Sequence, residues 1–144
     1  MVMADVDHFK KINDSPGHTV GDTVLKEVAE RLKADLRPYD LVGRYGGEEF
    51  LIVLPNCGLK VATRRADEIR VLVCKDAIVT TFMTVSVTVS MGITATDGTQ
   101  DLAIEELLHQ ADKALYSAKK NGRNCVHTFC AGDQVSPRLQ PVSE

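Results

Sequence analysis

The chain has 144 residues, of which 44% are hydrophobic, and this length fits one domain with a core large enough to fold without disulfides. Its formal net charge is −3 and no stretch is dense in lysine or arginine, which disfavours binding along a DNA or RNA backbone. No apolar run approaches the ~20 residues that span a bilayer, and no signal peptide opens the chain. We therefore expect a soluble cytoplasmic domain without membrane contact, in which the four cysteines stay reduced.

The first predicted element is a strand over residues 1–7, which is apolar at first and then alternates in polarity. Because alternate residues of a strand share a face, Asp5 and Asp7 are expected on the same side, where the strand ends. No helix or turn precedes this strand, so we expect a domain that is truncated at its N-terminus.

A short helical segment is predicted over residues 8–14, before the helix-breaking residues 15–18. It follows a strand end directly, where backbone N–H groups can face an anion. The candidate cradle for a phosphate group is formed by His8, Phe9 and Lys10. The ring of Phe9 also fits core packing, and the two roles are compatible.

An amphipathic helix is predicted over residues 21–36, from apolar side chains at helical spacing. Asp22 lies at its start, where capping of the helix is the ordinary role of an aspartate. Arg37 and Pro38 follow the helix, and both have ordinary explanations there. Cations are favoured at a helix C-terminus, and proline is a common helix stop.

The dipeptide Gly46-Gly47 separates an extended run over residues 40–45 from an apolar run over residues 50–54, which is the composition of a two-residue β-hairpin turn. Glycines there accept positive φ and leave room for a ligand near the backbone. The dipeptide Glu48-Glu49 is therefore expected at the tip of the hairpin, either as solvated surface carboxylates or as part of a site.

Two acidic strand ends in one small sheet indicate a metal site. Mg²⁺ binds oxygen ligands, usually one or two carboxylates together with carbonyl, water and nucleotide phosphate oxygens. An aspartate from the first strand and a glutamate from the hairpin are sufficient side chains for such a site.

The second half of the chain predicts a helix over residues 59–75 and then a β-branched stretch over residues 78–96. That stretch alternates large and small side chains, which is typical of one long strand or a hairpin whose small face lies beneath a helix. A further helix is predicted to begin with a cap at Asp101 and to end at Gly122.

Lys119 and Arg123 lie around the last turn of this helix, where the helix dipole alone favours cations. Residues 124–129 are typical of a last strand. Residues 131–144 are polar and contain proline, which predicts a disordered tail.

Taken together, the motifs resemble the GGDEF family of diguanylate cyclases over about residues 1 to 129, which we take as one domain of residues 1–130. The resemblance rests on the order and spacing of the run from Asp5 to Asp14, the pentapeptide Gly46-Gly47-Glu48-Glu49-Phe50 (a GGEEF variant) and the run from Lys119 to Asn124. It implies an α+β sandwich with a palm-like, mostly antiparallel central sheet flanked by helices.

The resemblance also implies an enzyme that joins two GTP into cyclic di-GMP and releases two pyrophosphates. The 3′-OH of one GTP would attack the α-phosphate of the other, with Mg²⁺ or Mn²⁺ neutralising charge. Each chain offers one metal site and one base-reading pair, yet the reaction joins two nucleotides, so catalysis would need a homodimer. An upstream sensory or receiver domain is common in the family.

For the metal, the resemblance assigns the side chains of Asp5 and Glu48 and the carbonyl of Val6. Glu48 is also a candidate base for the 3′-OH proton, and Glu49 would support the metal or the ribose. The resemblance implies that Asn13, Asp22, Lys119 and Arg123 bind the substrate, and the cradle and the open hairpin backbone add His8, Phe9, Lys10, Gly46 and Gly47 to the expected substrate-binding residues.

Among these, Asn13 and Asp22 would read guanine, since a carboxylate accepts from N1–H and the exocyclic amine. Lys119 and Arg123 would contact the triphosphate.

The tetrapeptide from Arg37 to Asp40 is similar to the Arg-x-x-Asp site through which product inhibits members of the family. Arg64 or Arg65 is a candidate second arginine, although Glu68 nearby weakens that assignment. Two other functions stay open. One is a cyclic di-GMP receptor without catalysis, which the intact pentapeptide disfavours. The other is a different palm-type cyclase or polymerase, which the guanine-reading pair and the lack of a basic channel disfavour.

Overall fold

The computed structural model describes residues 1–14, 18–99 and 101–130 of the chain. The strands are β1 (Val2–Val6), β2 (Leu41–Arg44), β3 (Glu49–Val53), β4 (Ile78–Val79), β5 (Thr84–Val85), β6 (Val89–Ile93) and β7 (Val126–Thr128). The helices are α1 (Phe9–Asn13), α2 (His18–Ala34), α3 (Leu59–Cys74) and α4 (Ile104–Lys120). The predicted disordered tail at residues 131–144 lies outside the described residues.

The central sheet has the strand order β2-β3-β1-β6-β7. Only its β6–β7 pair is parallel, and the other three pairs are antiparallel. The middle strand β1 is buried along its whole length, and its Asp5 lies opposite Glu49 on one side and Ser90 on the other. This arrangement confirms the predicted α+β fold with a mostly antiparallel sheet.

Helices cover both faces of the sheet, and the alternation of β1 decides which residues meet which helix. Val2, Ala4 and Val6 lie in one cluster with the buried apolar faces of α2 and α3. Met3 points the other way and packs on Ala111 and Leu115 of α4. Each large side chain buried in these layers stabilises the fold by about 1.5–3 kcal/mol. Since Asp5 follows Met3 at a spacing of two, its carboxylate lies on the α4 side.

Helix α4 lies very close to β6. A Cβ atom at Gly92 would overlap the backbone nitrogen of Leu115 and the carbonyl oxygen of Ala111, so only glycine fits there. The prediction that the small face of residues 78–96 lies beneath a helix is therefore confirmed. That stretch is neither one strand nor one hairpin, because β4 and β5 pair with each other outside the central sheet, to which β6 belongs.

Two predicted helix caps are wrong. Helix α2 begins at His18, so Asp22 lies in its second turn and does not cap it. Helix α4 is preceded by Ala103 in an extended conformation, without a side-chain cap, so Asp101 has no capping role. Glu105 and Glu106 in the first turn of α4 interact favourably with the helix dipole instead. In the described part of the chain, no helix has the length and apolar character to cross a membrane.

Candidate active site

The ends of β1 and β3 bring the predicted metal ligands together. Asp5 is the register partner of Glu49. One residue further along, the backbone N–H of Val6 donates to the carbonyl oxygen of Glu48 at 3.2 Å. The acidic end of β1 therefore lies directly beside the hairpin loop that carries the two glutamates.

The hairpin loop is wider than the predicted two-residue turn. Arg44 is opposite Phe50 in the ladder, and the N–H groups of Tyr45 and Gly46 donate to the carbonyl oxygen of Glu49 at 2.8 and 3.2 Å. The loop between β2 and β3 is thus four residues long, 45–48, and Glu48 belongs to it. Of the described glycines, those with positive φ are elsewhere, so the expected left-handed turn at Gly46 and Gly47 is also wrong.

The two glycines of the loop have different surroundings. A Cβ atom at Gly46 would come within 2.6 Å of Glu49 Oε2, whereas a Cβ atom at Gly47 would meet nothing within 4 Å. The expected room for a ligand beside the backbone therefore exists at Gly47.

Arg44 closes this loop, a role that was not predicted from the sequence. Its Nε donates to the carbonyl oxygens of Gly46 and Gly47, both at 3.1 Å, and its Nη2 donates to Gly47 at 2.6 Å. A guanidinium presents several donors in a fixed plane, which suits two neighbouring carbonyls. The sequence did contain a signal for this role, because Arg44 lies two residues before Gly46, in a turn whose carbonyl oxygens need hydrogen-bond donors.

The carboxylates of the site lie close enough to affect one another. Lys119 Nζ lies 2.8 Å from Asp5 Oδ2. Burial raises the pKa of Asp5, and the bond from Lys119 offsets that rise only in part. Burial also raises the pKa of Glu48, and the charges of Asp5 and Glu49 add to it. The site therefore holds more negative charge than Lys119 balances.

This excess of negative charge fits a divalent cation. The donor set of two carboxylates and the Val6 carbonyl is entirely oxygen, which suits Mg²⁺ or Mn²⁺. Within residues 1–14, 18–99 and 101–130, no three His, Cys, Asp or Glu side chains are grouped to hold a metal. A metal here would thus complete its coordination with oxygens from substrate or water.

Both predicted phosphate-binding cations lie at this end of the molecule. Lys119 is in the last turn of α4, and Arg123 follows in a left-handed conformation with φ 62°. The charge of Arg123 acts to lower the pKa of Asp5, which places the guanidinium within electrostatic reach of the carboxylates. The helix dipole alone therefore does not account for these two cations, because both also interact with the carboxylate of Asp5.

Helix α1 begins beside the same end of the central strand β1. His8 has a left-handed backbone with φ 55°, and its carbonyl oxygen accepts from the N–H groups of Lys11 and Ile12. Phe9 is buried in the core, as predicted for its ring. The segment of His8, Phe9 and Lys10 thus begins two residues after the metal-ligand candidates of β1.

The predicted guanine-reading residues lie where α1 packs on α2. A Cβ atom at Gly21 would overlap Asn13 Oδ1, so the Asn13 amide lies against the residue that precedes Asp22. Asp22 is exposed and lines a cleft of about 450 Å³ between α2 and the hairpin. Its other lining residues are Leu25, Lys26, Ala29, Lys33, Val42, Gly43, Arg44 and Phe50.

The Arg-x-x-Asp segment is a turn in which Asp40 is buried, Arg37 is half-buried, and Pro38 and Tyr39 are exposed. Asp40 Oδ2 accepts the backbone N–H of Arg37 at 2.8 Å and lies 2.9 Å from Arg65 Nη1, which is not aligned for a hydrogen bond. The Asp40 side chain is 0% exposed. The Arg37 guanidinium lies on the surface, where it donates to the Tyr39 hydroxyl at 3.2 Å and stacks on its ring.

This geometry bears on two expectations. Asp40 faces α3, and its carboxylate is buried. Arg65 is also buried and donates to the carbonyl oxygen of Asp35 at 3.1 Å, so its guanidinium is engaged within the fold. Arg64 is exposed and lies 3.8 Å from Glu68.

The family model described as diguanylate cyclase, GGDEF domain, matches residues 1–125, and the chain therefore belongs to the GGDEF family. Response regulator PleD of Caulobacter vibrioides is 44% identical over 127 residues, which are 87% of this chain and 28% of PleD. Diguanylate cyclase A of Treponema denticola is 41% identical over 126 residues, which are 88% of this chain and 34% of that protein. The chain thus spans about a third or less of these relatives.

Solved structures agree with this assignment. The GGDEF domain of DgcB from Caulobacter crescentus, crystallised with c-di-GMP, has a TM-score of 0.79 at 33% identity, covering 89% of this chain and 75% of that one. The active GGEEF domain of a diguanylate cyclase from Vibrio cholerae has a TM-score of 0.75 at 32% identity, covering 90% of this chain and 81% of that one. The predicted family and fold are confirmed.

Proposed function

We propose that this domain is a cytoplasmic diguanylate cyclase, which condenses two GTP into cyclic di-GMP and two pyrophosphates. The observation that carries the proposal is the cluster of Asp5, Glu48 and Lys119 at adjoining ends of β1, the hairpin and α4. Phosphoryl transfer needs positioned phosphates and a balance of charge, and this cluster offers both signs of charge in one place.

Asp5, Glu48 and the carbonyl of Val6 would hold Mg²⁺ or Mn²⁺, which supplies charge neutralisation at the reacting phosphate. The raised pKa of Glu48 suits a group that accepts the proton of the attacking 3′-OH. Glu49, the register partner of Asp5, would support the ribose or the ligand positions around it.

The triphosphate would lie between Lys119 and Arg123 and the N–H groups of His8, Phe9 and Lys10, with its closest approach to the loop at Gly46 and Gly47. Asn13 and Asp22 would read the guanine edge across the α1–α2 contact. A good bidentate contact of this kind discriminates by about 1–3 kcal/mol against the wrong base.

The reaction needs a second copy of the domain, because each chain offers one cluster for one GTP and two GTP must meet in line. We therefore propose a homodimer in which the clusters of two chains face each other across a two-fold axis. An upstream sensory or receiver domain in the full-length protein would control that encounter.

Feedback inhibition would act through Arg37, whose exposed guanidinium suits the N7 and O6 edge of guanine or a phosphate of cyclic di-GMP. Asp40 would position Arg37 from below, since it accepts the Arg37 backbone N–H.

The test is chromatography of the products of GTP with Mg²⁺ over a range of protein concentrations. Wild type should form cyclic di-GMP at a rate per chain that rises with concentration, and Glu48→Gln should lower the rate by at least ~100-fold. Glu30→Gln, which changes an exposed carboxylate of α2, is the matched control and should keep the rate. Absence of product with tight binding of cyclic di-GMP would favour a receptor instead.

A further inference from the structure

Asp7 is a buried carboxylate that the proposed reaction does not use. It follows β1 directly and is 4% exposed. Its Oδ1 accepts from Ser90 Oγ at 2.7 Å, and its Oδ2 accepts from Thr88 Oγ1 at 2.7 Å and from the backbone N–H of Asn124 at 3.0 Å. The last of these bonds joins the end of β1 to a turn 117 residues further along the chain.

That turn has an unusual backbone. Gly122, Arg123 and Asn124 have consecutive positive φ angles of 105°, 62° and 46°. Glycine adopts such angles freely and asparagine tolerates them, but an arginine does so only when its surroundings hold it there. The turn contains Arg123, whose charge acts on Asp5.

The contacts that hold the turn come from both ends of it. The N–H of Arg123 donates to the carbonyl oxygen of Ala118 at 3.1 Å, which is the six-to-one bond of a Schellman motif that ends α4. The Asn124 side chain accepts from Arg70 Nη1 at 2.6 Å. The Asn124 backbone N–H has Asp7 as its acceptor, and this bond fixes the turn relative to the sheet.

We propose that Asp7 is a positioning residue for the phosphates of the substrate: by accepting the Asn124 N–H it holds the left-handed turn that presents Arg123 to them. Asp5 and Asp7 then have different roles at the same end of β1. Asp5 would bind the metal, and Asp7 would position the phosphate-binding Arg123. The inference rests on the proposed function, because it takes Arg123 as a triphosphate ligand.

The inference is tested with Asp7→Ala, which removes the acceptor of the Asn124 N–H, with Arg123→Ala, and with the double variant in the full chain. Calorimetric titration with a non-reactive GTP analogue measures the affinity without turnover, and titration with GMP shows whether the effect belongs to the outer phosphates. Each single variant should weaken the analogue by about tenfold, as expected for one charge-assisted hydrogen bond, and leave GMP nearly unchanged. The double variant should be no weaker than Arg123→Ala, since both changes remove the same contact.

Ser90→Ala is the matched control, because it removes a buried donor to Asp7 Oδ1 while the Asn124 bond to Oδ2 remains. It should keep the affinity for the analogue even where its melting temperature falls. Asp7→Ala with lower thermal stability and unchanged affinity would overturn the inference, and so would equal, additive losses in the double variant.

Two further outcomes are decisive. If Arg123→Ala leaves the analogue affinity unchanged, the proposed role of Arg123 fails, and the inference fails with it. If Arg123→Ala weakens binding of the analogue and Asp7→Ala does not, the inference alone fails. Should Asp7→Ala not fold, Asn124→Gly replaces it. This variant keeps the backbone N–H and should keep the affinity, whereas a loss of affinity would show that the Asn124 side chain holds the turn and would overturn the inference.

Discussion

Lys119 Nζ lies 2.8 Å from Asp5 Oδ2, so an ion pair joins the last turn of α4 to the end of the central strand β1. The Asp5 side chain is 6% exposed and that of Lys119 is 26% exposed. The lysine stabilises the ionised carboxylate where we propose that a metal binds. We therefore expect the balance of charge at this point to affect both the stability and the activity of the domain.

The first prediction concerns pH. Burial raises the pKa of Glu48 in the folded chain, and the charge of Asp5 adds to the rise. A carboxyl with a raised folded pKa stabilises the fold fully below its unfolded pKa, and that contribution is lost as the pH rises through the folded pKa. Glu48→Gln does not titrate, so in metal-free buffer it should gain stability relative to wild type as the pH rises through this window.

Denaturant unfolding of both proteins at several pH values measures this difference. Glu30→Gln, at an exposed position, serves as the control and should differ from wild type by a constant amount. The prediction would be contradicted if the difference in the free energy of unfolding between Glu48→Gln and wild type stayed the same at every pH. Activity should have the opposite dependence and fall as the pH drops, because protonated Asp5 and Glu48 no longer bind a cation.

The second prediction concerns Arg44. Arg44→Met removes the donors to the carbonyl oxygens of Gly46 and Gly47, so the loop and Glu48 should lose their fixed position. We expect kcat to fall by about 10- to 100-fold, as for other small misplacements of reacting groups, with little change in melting temperature. Steady-state kinetics with Lys60→Met, an exposed change on α3, as the control would measure it. An unchanged kcat would show that the loop keeps its shape without Arg44.

The third prediction separates two arginines near Asp40. Arg65→Met leaves a buried carboxylate without its cation, which costs about 3–5 kcal/mol of the free energy of unfolding. Arg37→Ala changes only a surface side chain and should leave stability within about 0.5 kcal/mol. In the product assay, Arg37→Ala should prolong synthesis as cyclic di-GMP accumulates. If Arg65→Met and Arg37→Ala lowered the free energy of unfolding equally, burial of the arginine would not explain its contribution to stability.

The fourth prediction concerns Gly92. A methyl group there would overlap backbone atoms of α4, which cannot move without displacing the helix. Gly92→Ala should therefore lower the free energy of unfolding by about 1–3 kcal/mol or more. Gly43→Ala on the edge strand β2, where a Cβ atom meets nothing within 4 Å, is the control and should be nearly neutral in denaturant unfolding. Similar stability of the two variants would mean that α4 shifts at little cost.

Local periodicity was sufficient to predict β1, β3 and the acidic cluster at their ends, although it did not predict how residues 78–96 divide between two sheets. The alternation through Asp5 and the apolar run after Gly47 both depend on neighbours along the chain, and the structure places their ends side by side. Gly92 within a small-residue face was similarly enough to predict a helix above it.

Contacts between distant residues were not predictable in this way. Asp40 faces inward because Arg65, from the next helix, lies beneath it, and nothing in the tetrapeptide itself indicates that partner. Asp7 was recognised as sharing a face with Asp5, but its acceptor role depends on Asn124, far along the chain. The cap assigned to Asp101 failed because the chain stays extended through Ala103 before α4 begins.

The position of β1 in the middle of the sheet has a consequence for how such a site is turned off. Its backbone groups are bonded to β3 on one side and to β6 on the other, so Asp5 and Val6 are held by the ladder that the whole fold depends on. Segments of this kind open only when the entire domain unfolds, and their amide protons should be among the slowest to exchange with solvent. For the homodimer proposed above, a signal that lowers activity would therefore act on two folded domains, because local melting of β1 is not available to it.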